Sequence, residues 1–242
     1  MKPALRLLPA TLLVASALVA AEDSTEAETV AGFSLSGNIA LTTDYLYRGL
    51  SQTTGDPALQ GGFDLTHDSG FYLGIWGSNV DFADSLELDY YAGYSAEINE
   101  DFSYDVGVLY YDYPSDPADP KGDFLEYYAS ANWKSLTLGF NYSDDFFAET
   151  GNALYYYGSY DIDLPKGFGL TLYLAKQDLD EATFGNDDSY THYSLSLSKE
   201  VLGIELGLSW SDTDISKADC AGAGFSRNDC APTVVFSIAK SM

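Results

Sequence analysis

Apolar and polar residues alternate along most of this chain, and the alternation is longest near its beginning. Between positions 33 and 48, Phe33, Leu35, Gly37, Ile39, Leu41, Thr43, Tyr45 and Tyr47 share one parity, and Ser34, Ser36, Asn38, Ala40, Thr42, Asp44 and Arg48 share the other. A period of two belongs to a β-strand with one apolar and one polar face. Globular strands average about five or six residues. This one is far longer, and suits a tilted bilayer-crossing strand, which needs about 9 to 11 residues. The same reading predicts twelve strands, at roughly 33–48, 58–67, 71–81, 86–97, 102–113, 124–133, 136–146, 154–164, 168–177, 190–199, 203–212 and 232–241. An even count is what single-chain bacterial outer-membrane barrels have. The predicted fold class is therefore all-β, a transmembrane antiparallel up-and-down barrel with its apolar face toward lipid.

The fourth strand is the cleanest. Leu86, Leu88, Tyr90, Ala92, Tyr94 and Ala96 oppose Glu87, Asp89, Tyr91, Gly93, Ser95 and Glu97, so a one-residue slip would turn carboxylates into lipid. In the third, Trp76 and Tyr72 oppose Phe71, Leu73 and Ile75, which leaves the facing open. Connections alternate between short (67–70, 99–101, 134–135, 165–167, 200–202) and mostly longer polar ones (49–57, 114–123, 148–152, 178–189, 212–231). These read as periplasmic turns and outer loops. Tyr45, Tyr47, Tyr110, Tyr142, Tyr156 and Trp210 fall near the long loops, and Phe33, Phe71, Phe102, Trp133 and Phe168 near the short turns. Two aromatic girdles are predicted. A secreted β-sandwich also alternates, but it does not need aromatics banded at both strand ends.

Residues 1–21 carry Lys2 and Arg6, an apolar run and a small-residue end, which reads as a cleaved secretory signal. Residues 22–32 read as an acidic periplasmic leader, and 33–242 as the barrel. Loss of the signal leaves nine basic against 37 acidic residues, a net charge of −28 compared with −26 for the full chain. So acidic a chain disfavours nucleic acid and favours cationic solutes. The expected partners are outer-membrane lipids with lipopolysaccharide, the barrel assembly machinery and small hydrophilic solutes. Cys220 and Cys230, close together in an exported chain, point to a disulfide in the last outer loop. No cofactor or metal is predicted. The acidic loops at 112–123 and 178–188 lack the alternating spacing of a calcium loop, and no stretch reads as a helix.

On the lumen parity lie Asp44, Asp64, Glu87, Asp89, Asp105, Glu126 and Asp161, with Arg48 the one basic residue assigned there. These are the candidate pore-lining residues, and acidic rings in a water-filled pore favour cations. Tyr91, Tyr111, Tyr113, Tyr128, Tyr155, Tyr157 and Tyr173 also point inward on this reading. They either narrow the bore and offer a stacking surface or fill it. His192 and Ser194, two apart on a strand, have the spacing of a lipid-facing esterase pair. The apolar Tyr193, Leu195 and Leu197 turn them inward instead, so no enzymatic role is expected.

The string from Gly37 to Gln52, with Pro57 to Asp64, Gly74 to Val80 and Glu87 to Tyr94, resembles the TorF family of proteobacterial porins. The resemblance implies an outer-membrane barrel with a porin function and brings no catalytic residues. Val234, Phe236 and Ile238 give the last strand its apolar parity, and Met242 stands where such barrels commonly end in phenylalanine. Two roles compete, a porin passing small hydrophilic solutes with cations preferred and a closed structural or adhesive barrel, with a lipid-facing esterase as a third, disfavoured alternative.

Overall fold

The computed structural model describes residues 30–82 and 86–242; the signal segment and residues 22–29 of the leader lie outside them. In chain order the elements are β1 (Phe33–Thr42), β2 (Leu46–Tyr47), β3 (Leu50–Ser51), β4 (Ala58–His67), β5 (Phe71–Asn79), β6 (Leu86–Asn99) and β7 (Phe102–Asp112). They continue with β8 (Phe124–Trp133), β9 (Leu136–Ser143), β10 (Ala153–Leu164), β11 (Phe168–Leu179), β12 (Ser189–Val201), β13 (Ile204–Thr213), α1 (Lys217–Gly222) and β14 (Thr233–Ser241). All strands except β2 and β3 form one closed antiparallel barrel of twelve. The sandwich is thereby excluded. Closure runs from Asn38↔Ser241 to Thr42↔Ser237, and Gly37 and Met242 extend it by exchanging both backbone hydrogen bonds. A closed barrel leaves no unpaired edge.

Eleven of the twelve predicted strands match to within a few residues. The first does not: β1 stops at Thr42, and residues 44–56 leave the wall as an inward hairpin built on β2 and β3. Tyr45, 3% exposed, and Tyr47, half-buried, accordingly sit inside the barrel and not in an outer girdle. The other upper aromatics, Tyr110, Tyr142, Tyr156 and Trp210, are exposed on the outer face, as are Phe33, Phe71 and Trp133 near the short turns. Pairing also resolves β5, where Phe71, Leu73 and Ile75 face outward while Tyr72 and Trp76 face the lumen. An apolar outer surface includes Phe63, Leu138 and Leu174, each more than half exposed.

The inward tyrosines lie along the wall and do not reach for the axis, because glycine sits directly across the sheet from four of them. Tyr91 pairs with Gly74, Tyr72 with Gly93, Tyr128 with Gly107 and Tyr157 with Gly139. A Cβ on any of these glycines would come within 2.3–2.4 Å of the tyrosine's own atoms. The flattened rings then meet carboxylates: Tyr72 donates to Asp105 (2.6 Å) and Tyr91 to Asp64.

The last outer loop departs from expectation by containing a helix. Ser216 caps α1, its hydroxyl accepting the Asp219 amide. Six residues are too few for a helical period to stand out in sequence. Cys220 and Cys230 are bonded, with Cα atoms 6.0 Å apart. They pack with Phe184 and Tyr190 on Leu50 of the inward hairpin.

Gly74→Ala should push the Tyr91 ring off its seat and lower barrel stability by about 1–3 kcal/mol, the usual cost of overpacking. Outward Gly158→Ala, whose nearest neighbour is a Leu138 methyl at 3.2 Å, should change it far less. Urea unfolding in detergent measures both. Replacing the disulfide with Cys220→Ala and Cys230→Ala should leave the barrel midpoint nearly unchanged, while amide exchange in 214–232 and 49–53 accelerates.

Candidate functional site

The hairpin turns at Arg48 and Gly49, with φ of 51° and 86°. Positive φ at both central residues matches the two-residue turn that suits strand twist. Gly49 is required a second time by space, since a Cβ there would lie 2.6 Å from Thr213 Cγ2 and 2.8 Å from His192. At the base, Asp44 Oδ1 accepts from Ser51 (2.6 Å) and Thr53 (3.0 Å), and Thr53 Oγ1 in turn accepts the Tyr45 amide. The segment is thus self-bonded before it meets the wall, and Thr53 is fully buried.

Arg48 carries the tip of the hairpin against the wall. Its Nη2 donates to both oxygens of Glu126 on β8 (2.5 and 2.7 Å), and its Nη1 to Gln177 Oε1 on β11 (2.7 Å). The guanidinium carbon lies 4.7 Å from the Tyr47 ring centre and 4.4 Å from that of Tyr155, so the cation is held by aromatic faces as well. Arg48 is 4% exposed and Glu126 fully buried. Removing either partner of such a pair strands a charge, at a cost of about 3–5 kcal/mol. Beside it, Glu87 Oε1 and Oε2 accept from Tyr45 and Tyr113, both at 2.6 Å.

The lumen consequently has two unlike walls. Strands β5 to β11 carry most of the inward tyrosines and most of the singled-out carboxylates, and the hairpin leans on them. Glu87, Asp89 and Glu126 are on the lumen parity but 2% exposed or less, covered by the hairpin and the rings. Neither oxygen of Asp89 has a hydrogen-bond partner among the described residues. Asp105 is buried under Tyr72, and Asp64 is partly open. Asp161, bonded by Thr171 (2.6 Å), is exposed near the short-turn end. Of the predicted pore-lining set, then, Asp44, Arg48, Glu87, Asp89 and Glu126 come together with the hairpin, while Asp64, Asp105 and Asp161 stand apart from it.

Opposite, β12, β13, β14 and β1 present small polar side chains. A cavity of about 60 Å³ lies between this wall and the hairpin, bordered by Ser194, Ser196, Ser209, Ser211, Ser237 and Gln60. Room for about four waters follows from that volume. His192 lies beside it, 3% exposed, with Nδ1 on Tyr155 (2.9 Å) and Nε2 on Ser211 (3.1 Å). His192 and Ser194 both face the lumen, away from any lipid-side chemistry.

Sequence reasoning did not single out the serine wall, nor the carboxylates other than Asp161 at the short-turn end. Glu200 and Glu205 are direct cross-strand partners on the lumen parity, and Asp163 shares that parity with Asp161. Like charges placed opposite one another destabilise a sheet, so the pair was available as a signal in the turn sequence Glu200-Val201-Leu202-Gly203-Ile204-Glu205.

Comparison with known proteins adds a family and a fold. Residues 26–242 match Gcw_chp, described as a bacterial protein of unknown function. No curated protein matches the sequence. Among solved structures, the KdgM porin superposes with a TM-score of 0.55 at 10% identity, covering 85% of this chain and 97% of its own. The NanC porin gives 0.53 at 10% identity, covering 85% and 98%. KdgM in complex with disordered oligogalacturonate gives 0.54 at 9%, covering 86% and 96%. At such identities the likeness is one of fold.

If the ion pair pins the hairpin, Arg48→Ala should speed amide hydrogen exchange at residues 45–52 at least tenfold. Arg48→Met combined with Glu126→Gln should exchange more slowly there than Arg48→Ala. Equal exchange in the unmodified protein and Arg48→Ala would show that Tyr45 and Leu50 hold the hairpin without the pair.

Proposed function

We propose, from the premise that this chain belongs to the Gcw_chp family of bacterial proteins of unknown function, that it is an outer-membrane porin. It passes small hydrophilic solutes and prefers cations to anions. The observation that carries this reading is a closed barrel, apolar outside and polar inside, whose lumen is acidic. Among the described residues only Arg48 brings a basic side chain into the lumen, and Glu126 neutralises it. Lys176, Lys199 and Lys240 stand on the outward parity. The likeness of residues 37–52 to TorF porins, and the fold shared with KdgM and NanC, support the same role.

The carboxylates that set ion preference are those in contact with water. Asp161 and Asp163 are exposed and Glu200 and Glu205 half-buried at the short-turn mouth, whereas Glu87, Asp89 and Glu126 are covered. Charges in a narrow, poorly screened passage lower the barrier for cations. In the cell the outer belt would meet lipid, with lipopolysaccharide around the long loops, after export and insertion by the barrel assembly machinery. A second reading, a closed structural barrel, draws on the inward hairpin, whose tip is packed inside the bore against β8, β10 and β11.

Single-channel recording in a planar bilayer with a salt gradient separates the two. Discrete steps with a cation-selective reversal potential are expected. The preference should decline in Asp161→Asn, Asp163→Asn and Glu205→Gln together, and persist in Asp89→Asn. Folded protein without conductance steps would favour the closed barrel; an anion-selective potential would contradict the electrostatic argument.

A further inference from the structure

The wall opposite the hairpin carries serine hydroxyls on three strands, interrupted by Val235, which pairs with Ser209 and borders the same cavity. Ser194 and Ser196 on β12 alternate with outward residues, Ser196 pairs directly with Ser209 on β13, and Ser237 follows on β14, paired with Gly207. Side chains at directly opposed positions stand about 5 Å apart. On the other wall the hydroxyls of Tyr72, Tyr91, Tyr111 and Tyr113 bond carboxylates and those of Tyr155 and Tyr173 bond each other, although Tyr47 of the hairpin keeps a buried hydroxyl without a partner. By contrast, the hydroxyls of Ser194, Ser196, Ser209 and Ser237 take part in no side-chain hydrogen bond among the described residues. Gln60 makes the contrast sharper. It is 2% exposed and borders the same cavity; its Nε2 donates to Ser78 (3.3 Å), yet its Oε1 is buried without a partner. A buried amide oxygen lacking a donor costs free energy until a donor arrives. Asp44 is the one carboxylate bordering the cavity, and its Oδ1 already accepts two hydroxyls from its own hairpin.

On the porin reading, we infer that this wall is a binding lane for small uncharged polyhydroxylated solutes, such as linear polyols and small sugars. A solute of this class replaces the cavity's waters hydroxyl for hydroxyl, donating to Gln60 Oε1 and exchanging hydrogen bonds with the serines. Serine both donates and accepts, so the solute need not enter in one orientation. The cavity's volume selects slender molecules. Cations and polyols therefore use different features of one passage, the acidic mouth for the first and the serine wall for the second.

The test compares purified, folded protein in liposomes and bilayers, with erythritol and potassium chloride as probes. Ser194→Ala, Ser209→Ala and Ser237→Ala combined remove hydroxyls and widen the lane slightly. A simple sieve would then pass more of everything. The inference predicts that the erythritol swelling rate falls at least fivefold while potassium chloride conductance stays within twofold or rises. Erythritol flux unchanged or raised in step with conductance would overturn the lane and leave the porin reading standing. Neither conductance nor swelling from the unmodified barrel would overturn both.

Discussion

A guanidinium withdrawn from water has to be paired, and the pairing of Arg48 organises the interior of this barrel. Glu126 and Gln177 take its donors and Tyr47 and Tyr155 face its plane. Those partners come from β8, β10 and β11, so the cation can be satisfied only with the hairpin fully inserted. The disulfide-braced last loop, with Phe184 and Tyr190, packs on Leu50 of the hairpin. The wall itself asks for little more than strict alternation, but the lumen's shape depends on this one buried pair.

From that constraint the division of labour in the lumen follows. Tyr72, Tyr91, Tyr128 and Tyr157 lie flat because glycine faces each of them, leaving room for the hairpin. The hairpin then covers Glu87, Asp89 and Glu126 of the aromatic wall. What stays accessible is the short-turn mouth, where Asp161 and Asp163 are exposed, and the part of the serine wall where Ser194, Ser196, Ser209 and Ser237 are half-buried. A charge tally over lumen-parity positions overstates the carboxylates a passing ion meets, because Glu87, Asp89 and Glu126 are out of reach.

The barrel was legible because alternation is a local, repeated signal that each strand carries for itself. Even the short turns were marked, by pairs such as Lys134-Ser135 and Lys166-Gly167. The end of β1 was not, because Tyr45 and Tyr47 keep the parity of Thr43 after the chain has left the wall. Parity cannot distinguish a strand in the sheet from a hairpin folded against it. The Arg48-Gly49 turn and the Asp44, Ser51 and Thr53 bonds were available as signs, but their meaning depends on Glu126, 78 residues away. Asp64 and Asp105 were placed on the correct face by parity, yet their tyrosine partners depend on cross-strand register. The unbonded serines were unremarkable in sequence for the same reason: a free hydroxyl is defined by what fails to approach it.

On the porin reading, solute passes beside the serine wall and not along the aromatic, acidic one. Cysteine accessibility tests this directly, because both native cysteines are held in the disulfide. Ser209→Cys and Leu109→Cys, one residue on each wall and both facing the lumen, are to be treated in turn with a small hydrophilic thiol reagent added to intact barrels. The account predicts rapid labelling at position 209 and protection at position 109, where the leucine is 1% exposed. Equal labelling, or faster labelling at 109, would contradict it.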